Sequence, residues 1–232
     1  MNRIGIIGAM EIEVAQLKEK MESVTVTAKA GMEFYEGTLC GKDTVVVKCG
    51  VGKVNAGICT QILADDFKVD AVINTGVAGS LRNEINIGDI VVSENAVEHD
   101  MDVTPLGYAK GIIPDMKESC FPADEMLKNL AVETRKEVNS HISVYTGTVA
   151  TGDQFISSKE VKDAIVNNFK ASCTEMEGAA IAHAAWLNQI PFVIIRAISD
   201  KADDSAHMDY PEFEKKAVEN SVRLLENMLK RL

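Results

Sequence analysis

Residues 3–21, RIGIIGAMEIEVAQLKEKM, join an apolar run of strand length to an amphipathic helical segment. Residues 3–7 carry Ile4, Ile6 and Ile7 ahead of Gly8, while in residues 11–21 the apolar positions Val14, Leu17 and Met21 recur at helical spacing. A strand followed directly by a helix is the opening unit of an α/β layer. Residues 24–28 and 33–39, separated by a turn at Gly31, and residues 44–48 read as antiparallel strands, which makes the sheet mixed. Gly50 and Gly52 open a helix over 54–67, and a short apolar strand over 71–74 runs into the glycine-containing loop TGVAGSL.

The same alternation continues to the C-terminus. Residues 89–93 form a buried strand, 124–138 a helix capped by Asp124, 141–150 a strand and 158–168 a helix. An Ala-rich helix over 177–188, a strand over 192–198 and a long amphipathic helix over 210–232 follow. Between them, residues 102–122 contain Pro105, Gly107, Gly111 and Pro114 without a regular period, the pattern of a long functional loop expected to close over something. The expected fold class is α/β, a single three-layer domain over 1–232 with a mixed central sheet flanked by helices.

Composition narrows the partners. A net charge of -11 argues against nucleic acid, which requires clustered cations, and here Lys and Arg are scattered. No apolar stretch is long enough for a membrane span and the N-terminus turns acidic after only a short apolar run, so a cytoplasmic protein without membrane contact is expected. The cysteines, Cys40, Cys49, Cys59, Cys120 and Cys173, show no CxxC spacing and read as reduced thiols. His99 and Asp100 lack a matching partner, so no metal is expected, and the glycines around CGVGK (49–53) lack the spacing of a triphosphate loop.

Ligands of open α/β sheets gather at the carboxyl ends of strands. Four segments there are rich in polar groups: GAMEIE after the first strand, NTGVAG, the EMEG segment around Met176, and RAISD at the end of the 192–198 strand. Glu11 and Glu13 fit a helix start as well as a site, because the helix dipole favours carboxylates there. Asp200 reads equally as a cap or as an acid at the sheet edge, and Glu177 precedes Gly178, Ala179 and Ala180, small residues that admit a close neighbour. Carboxylates from three chain regions at one edge suit hydrolysis through a cationic transition state: anions stabilise an oxocarbenium-like sugar, one acid protonates the leaving group and one base activates water.

The motifs GIIGAMEIEV, VINTGVAG, TGDQFI, EMEGAAIAH and PFVIIRAISDKAD, in this order across nearly the whole chain, resemble those of the bacterial 5′-methylthioadenosine/S-adenosylhomocysteine nucleosidases, which have the nucleoside phosphorylase fold. The resemblance implies that Glu13 is the general base on the attacking water and Asp200 the general acid at adenine N7. It implies that Glu177 accepts hydrogen bonds from the ribose hydroxyls, that Met176 packs beneath the sugar, and that adenine stacks on Phe155 and is read by the backbone of Ile156. Arg196 is placed near Glu177 and the water, Ser199 beside Asp200, and Ala78, Gly79 and Glu175 among the substrate contacts. Met10, Val51, Val103, Leu106, Tyr108, Pro114 and Tyr210 would line the ribose and 5′-thio pocket, with Leu106 and Pro114 reaching across a homodimer interface. No organic cofactor is implied.

Val77 stands where well-known members often carry a Ser able to hold the water, so the rate rather than the reaction type is what this difference touches. Leu106 and Tyr210 replace familiar Phe residues in the 5′-thio pocket. Three rival functions stand beside the nucleosidase: a phosphorylase of the same fold, a hydrolase of another 6-aminopurine nucleoside such as the futalosine analogue of menaquinone synthesis, and a non-catalytic nucleoside-binding protein. The first needs cations around phosphate, whereas the loop after the first strand carries Glu11 and Glu13. The last would be expected to have lost one of the carboxylates.

Overall fold

In the computed structural model, which describes residues 1–138 and 142–232, ten strands form one mixed sheet. The elements are β1 (Arg3–Gly8), α1 (Glu11–Glu19), β2 (Glu22–Lys29), β3 (Met32–Leu39), β4 (Lys42–Lys48), α2 (Lys53–Asp65), β5 (Ala71–Ser80) and β6 (Ile90–Glu98). A 3₁₀ turn (Thr104–Leu106) precedes β7 (Cys120–Pro122), α3 (Glu125–Val138), β8 (Val144–Thr151), α4 (Lys159–Phe169), β9 (Cys173–Glu175), α5 (Gly178–Leu187), β10 (Phe192–Asp200) and α6 (Ala206–Arg231). The expected strand over 141–150 begins at Val144, and His141 lies outside the described residues.

The parallel strands are buried on both faces, and their alternation sorts the core into two layers. Ile4 and Ile6 of β1, Val46 of β4, Ile73 of β5 and Val193 and Ile195 of β10 pack with Val14 and Leu17 of α1, Leu127 of α3 and Leu224, Leu225 and Met228 of α6. Ile7, Val45, Val47, Val72 and Ile194, one residue out of step, face Ala56, Cys59 and Leu63 of α2 and Ala179, Ile181 and Ala182 of α5. Each such Ile, Leu or Val side chain contributes about 1.5–3 kcal/mol by leaving water. The antiparallel pairs β2–β3 and β3–β4 agree with the sequence, and β4 returns parallel to β1.

Two features position the site. The first is a fork in β5. One edge pairs with β10 from Val72 to Gly79, while the other pairs with β1 over Ala71–Asn74 and with β9 only at Gly79 and Ser80. Because β9 continues through β8 and β6 back to β10, five strands close a ring that the sequence did not reveal. The segment expected to be a glycine loop, TGVAGSL, is therefore mostly strand, since β5 runs on to Ser80. Gly76 belongs there because a Cβ would run into Glu13 and Arg196, and at Gly79 a Cβ would meet Asp200 Oδ1 at 2.7 Å.

The second is a register shift in β10 between Ile198 and Asp200, a bulge that turns Ser199 and Asp200 toward the fork.

Candidate active site

Between β1 and β9, the Thr75–Ala78 stretch of β5 has no strand neighbour among the described residues on its open edge, so its buried backbone groups need side-chain partners. Glu13 Oε1 accepts the Val77 N–H at 3.1 Å, and Arg196 Nη1 donates to the Val77 carbonyl at 3.2 Å. The Val77 side chain itself packs into the core of the α1–α6 face.

Three carboxylates collect around Arg196, and each is met by a helix N-terminus. Glu13, in the first turn of α1, accepts the N–H groups of Ala9 (2.7 Å) and Met10 (2.9 Å) on Oε2. Glu175, at the end of β9, accepts N–H from Glu177 (3.2 Å) and Gly178 (2.7 Å) where α5 begins, together with the Thr151 hydroxyl. Glu177 accepts the Gly52 N–H at 2.9 Å where α2 begins. Orphan N–H groups and the positive end of the dipole make helix starts natural holders of anions. Glu13 is thus both the helix-start residue and the cavity residue that its position allowed.

Arg196, 1% exposed, donates from Nη2 to Asn74 Oδ1 at 2.7 Å and to Glu175, with Glu177 Oε2 at 3.4 Å and Glu13 Oε1 4.0 Å from Nη1. Burial opposes its charge, but Glu175, Glu177 and Glu13 outweigh it and raise its pKa. Burial also raises the pKa of Glu13 against the pull of Arg196, and lifts Glu177 to about 7, with Arg196 lowering it and Glu175 raising it.

Asp200 occupies the opposite wall. Its Oδ1 accepts the Ala202 N–H at 2.8 Å and its Oδ2 the Ser199 hydroxyl at 2.9 Å. Burial raises its pKa above the ordinary carboxylate range; the two donors oppose the shift, and Asp209 and Asp203 add to it. Phe155 meets Tyr210 edge-to-face with ring centroids 5.8 Å apart, and the Tyr210 hydroxyl donates to Glu214 at 2.5 Å and lies 3.4 Å from Met10 Sδ.

These groups line one cavity of about 240 Å³. Of the residues singled out in the sequence, Met10, Glu13, Val51, Val77, Ala78, Gly79, Phe155, Ile156, Glu175, Met176, Glu177, Arg196, Ser199, Asp200 and Tyr210 all border it. Val103, Leu106, Tyr108 and Pro114 do not. Their segment turns back on itself through Leu106 N–H to Val103 O and Gly111 N–H to Met101 O, which leaves Leu106 74% exposed instead of closing it over the cavity of its own chain. Ala9, Gln154 and Thr174 border the cavity without having been expected. Asn74 and Thr151, which orient Arg196 and Glu175, were also missed, although a buried Asn ending the apolar run AVIN was a legible signal.

Residues 3–230 match the phosphorylase superfamily. The chain belongs to this family. Within the superfamily it is 44% identical over 230 residues to the 5′-methylthioadenosine/S-adenosylhomocysteine nucleosidase of Anoxybacillus flavithermus, covering 99% of this chain and 98% of the relative. The crystal structure of the nucleosidase of that name from Colwellia psychrerythraea, in complex with adenine, superposes with a TM-score of 0.95 at 41% identity, covering 99% of this chain and 95% of that one. The futalosine hydrolase of Helicobacter pylori superposes with a TM-score of 0.94 at 34% identity, covering 100% of this chain and 98% of that one. The chain is therefore a member of the methylthioadenosine/S-adenosylhomocysteine nucleosidase family on the phosphorylase fold.

Proposed function

We propose that this chain hydrolyses the N-ribosidic bond of 5′-methylthioadenosine and S-adenosylhomocysteine, releasing adenine and the thioribose product. The observation that carries this reading is the charge inventory of the cavity. Among the described lining residues, four carboxylates face a single cation, Arg196, whose Nη atoms are already taken by Val77, Asn74 and Glu175. A phosphate nucleophile would meet four carboxylates around one cation whose charge Glu175, Glu177 and Glu13 already share, whereas water and a cationic sugar suit this surplus of anions.

Asp200, whose raised pKa favours the protonated form, supplies the proton to adenine N7 and so makes the base a neutral leaving group. Glu13 takes the proton of the attacking water; its raised pKa strengthens it as a base, and its three backbone donors fix its orientation. Glu177 receives the ribose hydroxyls, with Met176 beneath the sugar. Phe155, half exposed at the cavity mouth, provides the stacking face for the base and Ile156 its backbone edge. The products feed methionine salvage.

The protein acts in the cytoplasm as a homodimer. No helix among the described residues is long and apolar enough to cross a membrane. Val51, Val54 and Ile58 present an exposed apolar strip that starts at the cavity rim, the kind of surface a second subunit covers, and the partner's 102–119 segment would complete the 5′-thio pocket.

The deciding experiment follows adenine release from methylthioadenosine, S-adenosylhomocysteine, adenosine and aminofutalosine, with and without phosphate. Phosphate-independent release that favours the thio-nucleosides is the expected outcome. A requirement for phosphate, with ribose phosphate as product, would make the chain a phosphorylase, and a preference for aminofutalosine would move it to the other hydrolase class.

A further inference from the structure

The turn after Asp200 has a backbone that an ordinary residue rarely adopts. Ala202 is fully buried with φ at +51°, in the left-handed region that favours glycine. Its side chain packs with Leu81, Ile156 and Ile165, and its N–H is one of the two donors to Asp200. A lysine reaches this turn from a separate helix. Lys162 of α4 is 8% exposed, and its Nζ donates to the Lys201 carbonyl at 2.5 Å while lying 3.6 Å from Asp203 Oδ2. Lys201 sends its own ammonium away from Asp200, to the carbonyls of Ile85 (2.5 Å) and Asn83 (3.3 Å).

We propose that Lys162 is a positioning residue for Asp200: by holding the Lys201 carbonyl it locks Ala202 in its left-handed conformation and keeps the Ala202 N–H on the carboxyl. The proposal rests on Asp200 being the acid of the proposed reaction. The charged and titratable groups facing Asp200 are Asp203 in the same turn and Asp209 and Tyr210 on α6. Removing Lys162 frees the N–H donor and leaves Asp203 without its nearby cation, so the proton affinity of Asp200 rises while its placement degrades.

The test measures kcat and KM for adenine release from methylthioadenosine as a function of pH in the full chain. In Lys162→Met we expect kcat to fall about ten- to hundredfold with KM little changed, as misplacement of a reacting group does. The alkaline limb of kcat should move up by about one pH unit. Adding Ala202→Gly, which enters the left-handed region without strain, should recover part of the lost kcat. A folded Lys162→Met with unchanged kcat and unchanged alkaline limb overturns the proposal. Lys162→Gln is the second variant, and failure of both to fold makes Lys162 a stability residue, which equally overturns the positioning role. Asp200→Asn separates the levels: if it stays active the acid assignment itself fails, whereas an inactive Asp200→Asn beside a silent Lys162→Met removes only the positioning role.

Discussion

The two walls of the cavity give a buried carboxyl different partners. On one, Glu13, Glu175 and Glu177 share Arg196 and are each met by a helix start, so anions are tolerated where water is excluded. On the other, Asp200 has two hydrogen-bond donors, no ion pair among the described residues, and Asp203 and Asp209 nearby. Burial raises the pKa of Glu13, Glu177 and Asp200 alike; what differs is that the Arg196 charge pulls against the shift at Glu13 and Glu177, whereas only hydrogen bonds oppose it at Asp200. That difference in partners is what the proposed division of labour between Glu13 and Asp200 requires.

The contrast breaks most sharply at Asp200. Asp200→Asn keeps the shape and the Ser199 contact but carries no acidic proton, and kcat for adenine release should drop about 10³–10⁴-fold, the scale of a lost general acid. At the anionic wall the largest effect is on stability. Arg196→Met leaves three buried carboxylates without their cation, and urea denaturation at neutral pH should show a loss of about 3–5 kcal/mol.

A pH titration sharpens the comparison further. The Glu177 pKa of about 7 in the folded chain lies above its ordinary 4.5, so between those values the folded state holds a proton that the unfolded chain has released. Its contribution is fully present below the lower value and is lost as pH rises through the upper one, by at most about 3 kcal/mol. Glu177→Gln should flatten that part of the profile of urea midpoint against pH, and an unchanged slope would place the titration elsewhere. The smallest effect is expected for Val77→Ser. The backbone N–H of Val77 already holds Glu13, so an added hydroxyl should change kcat by only about threefold, roughly one modest hydrogen bond. A tenfold gain would show that water placement limits the reaction.

The amino-acid order by itself determined the α/β alternation, because apolar periods of two and 3.6 follow from local geometry, and the two core layers use the residues those periods marked. It also marked the carboxylates, since each lies beside a strand end or a helix start that the sequence signals. The length of β5 was hidden: Gly76 and Gly79 read as loop residues, yet they serve a strand whose neighbours, Glu13, Arg196 and Asp200, come from distant parts of the chain. The strands β7 and β9 are too short to leave a period and exist through the partners they pair with. Only the tertiary structure decided the fork, the ring closure, the bulge that turns Asp200, and the retreat of residues 102–119 from their own cavity. Each of these depends on which edge or N–H group finds a partner far along the sequence, and local patterning carries no record of that choice.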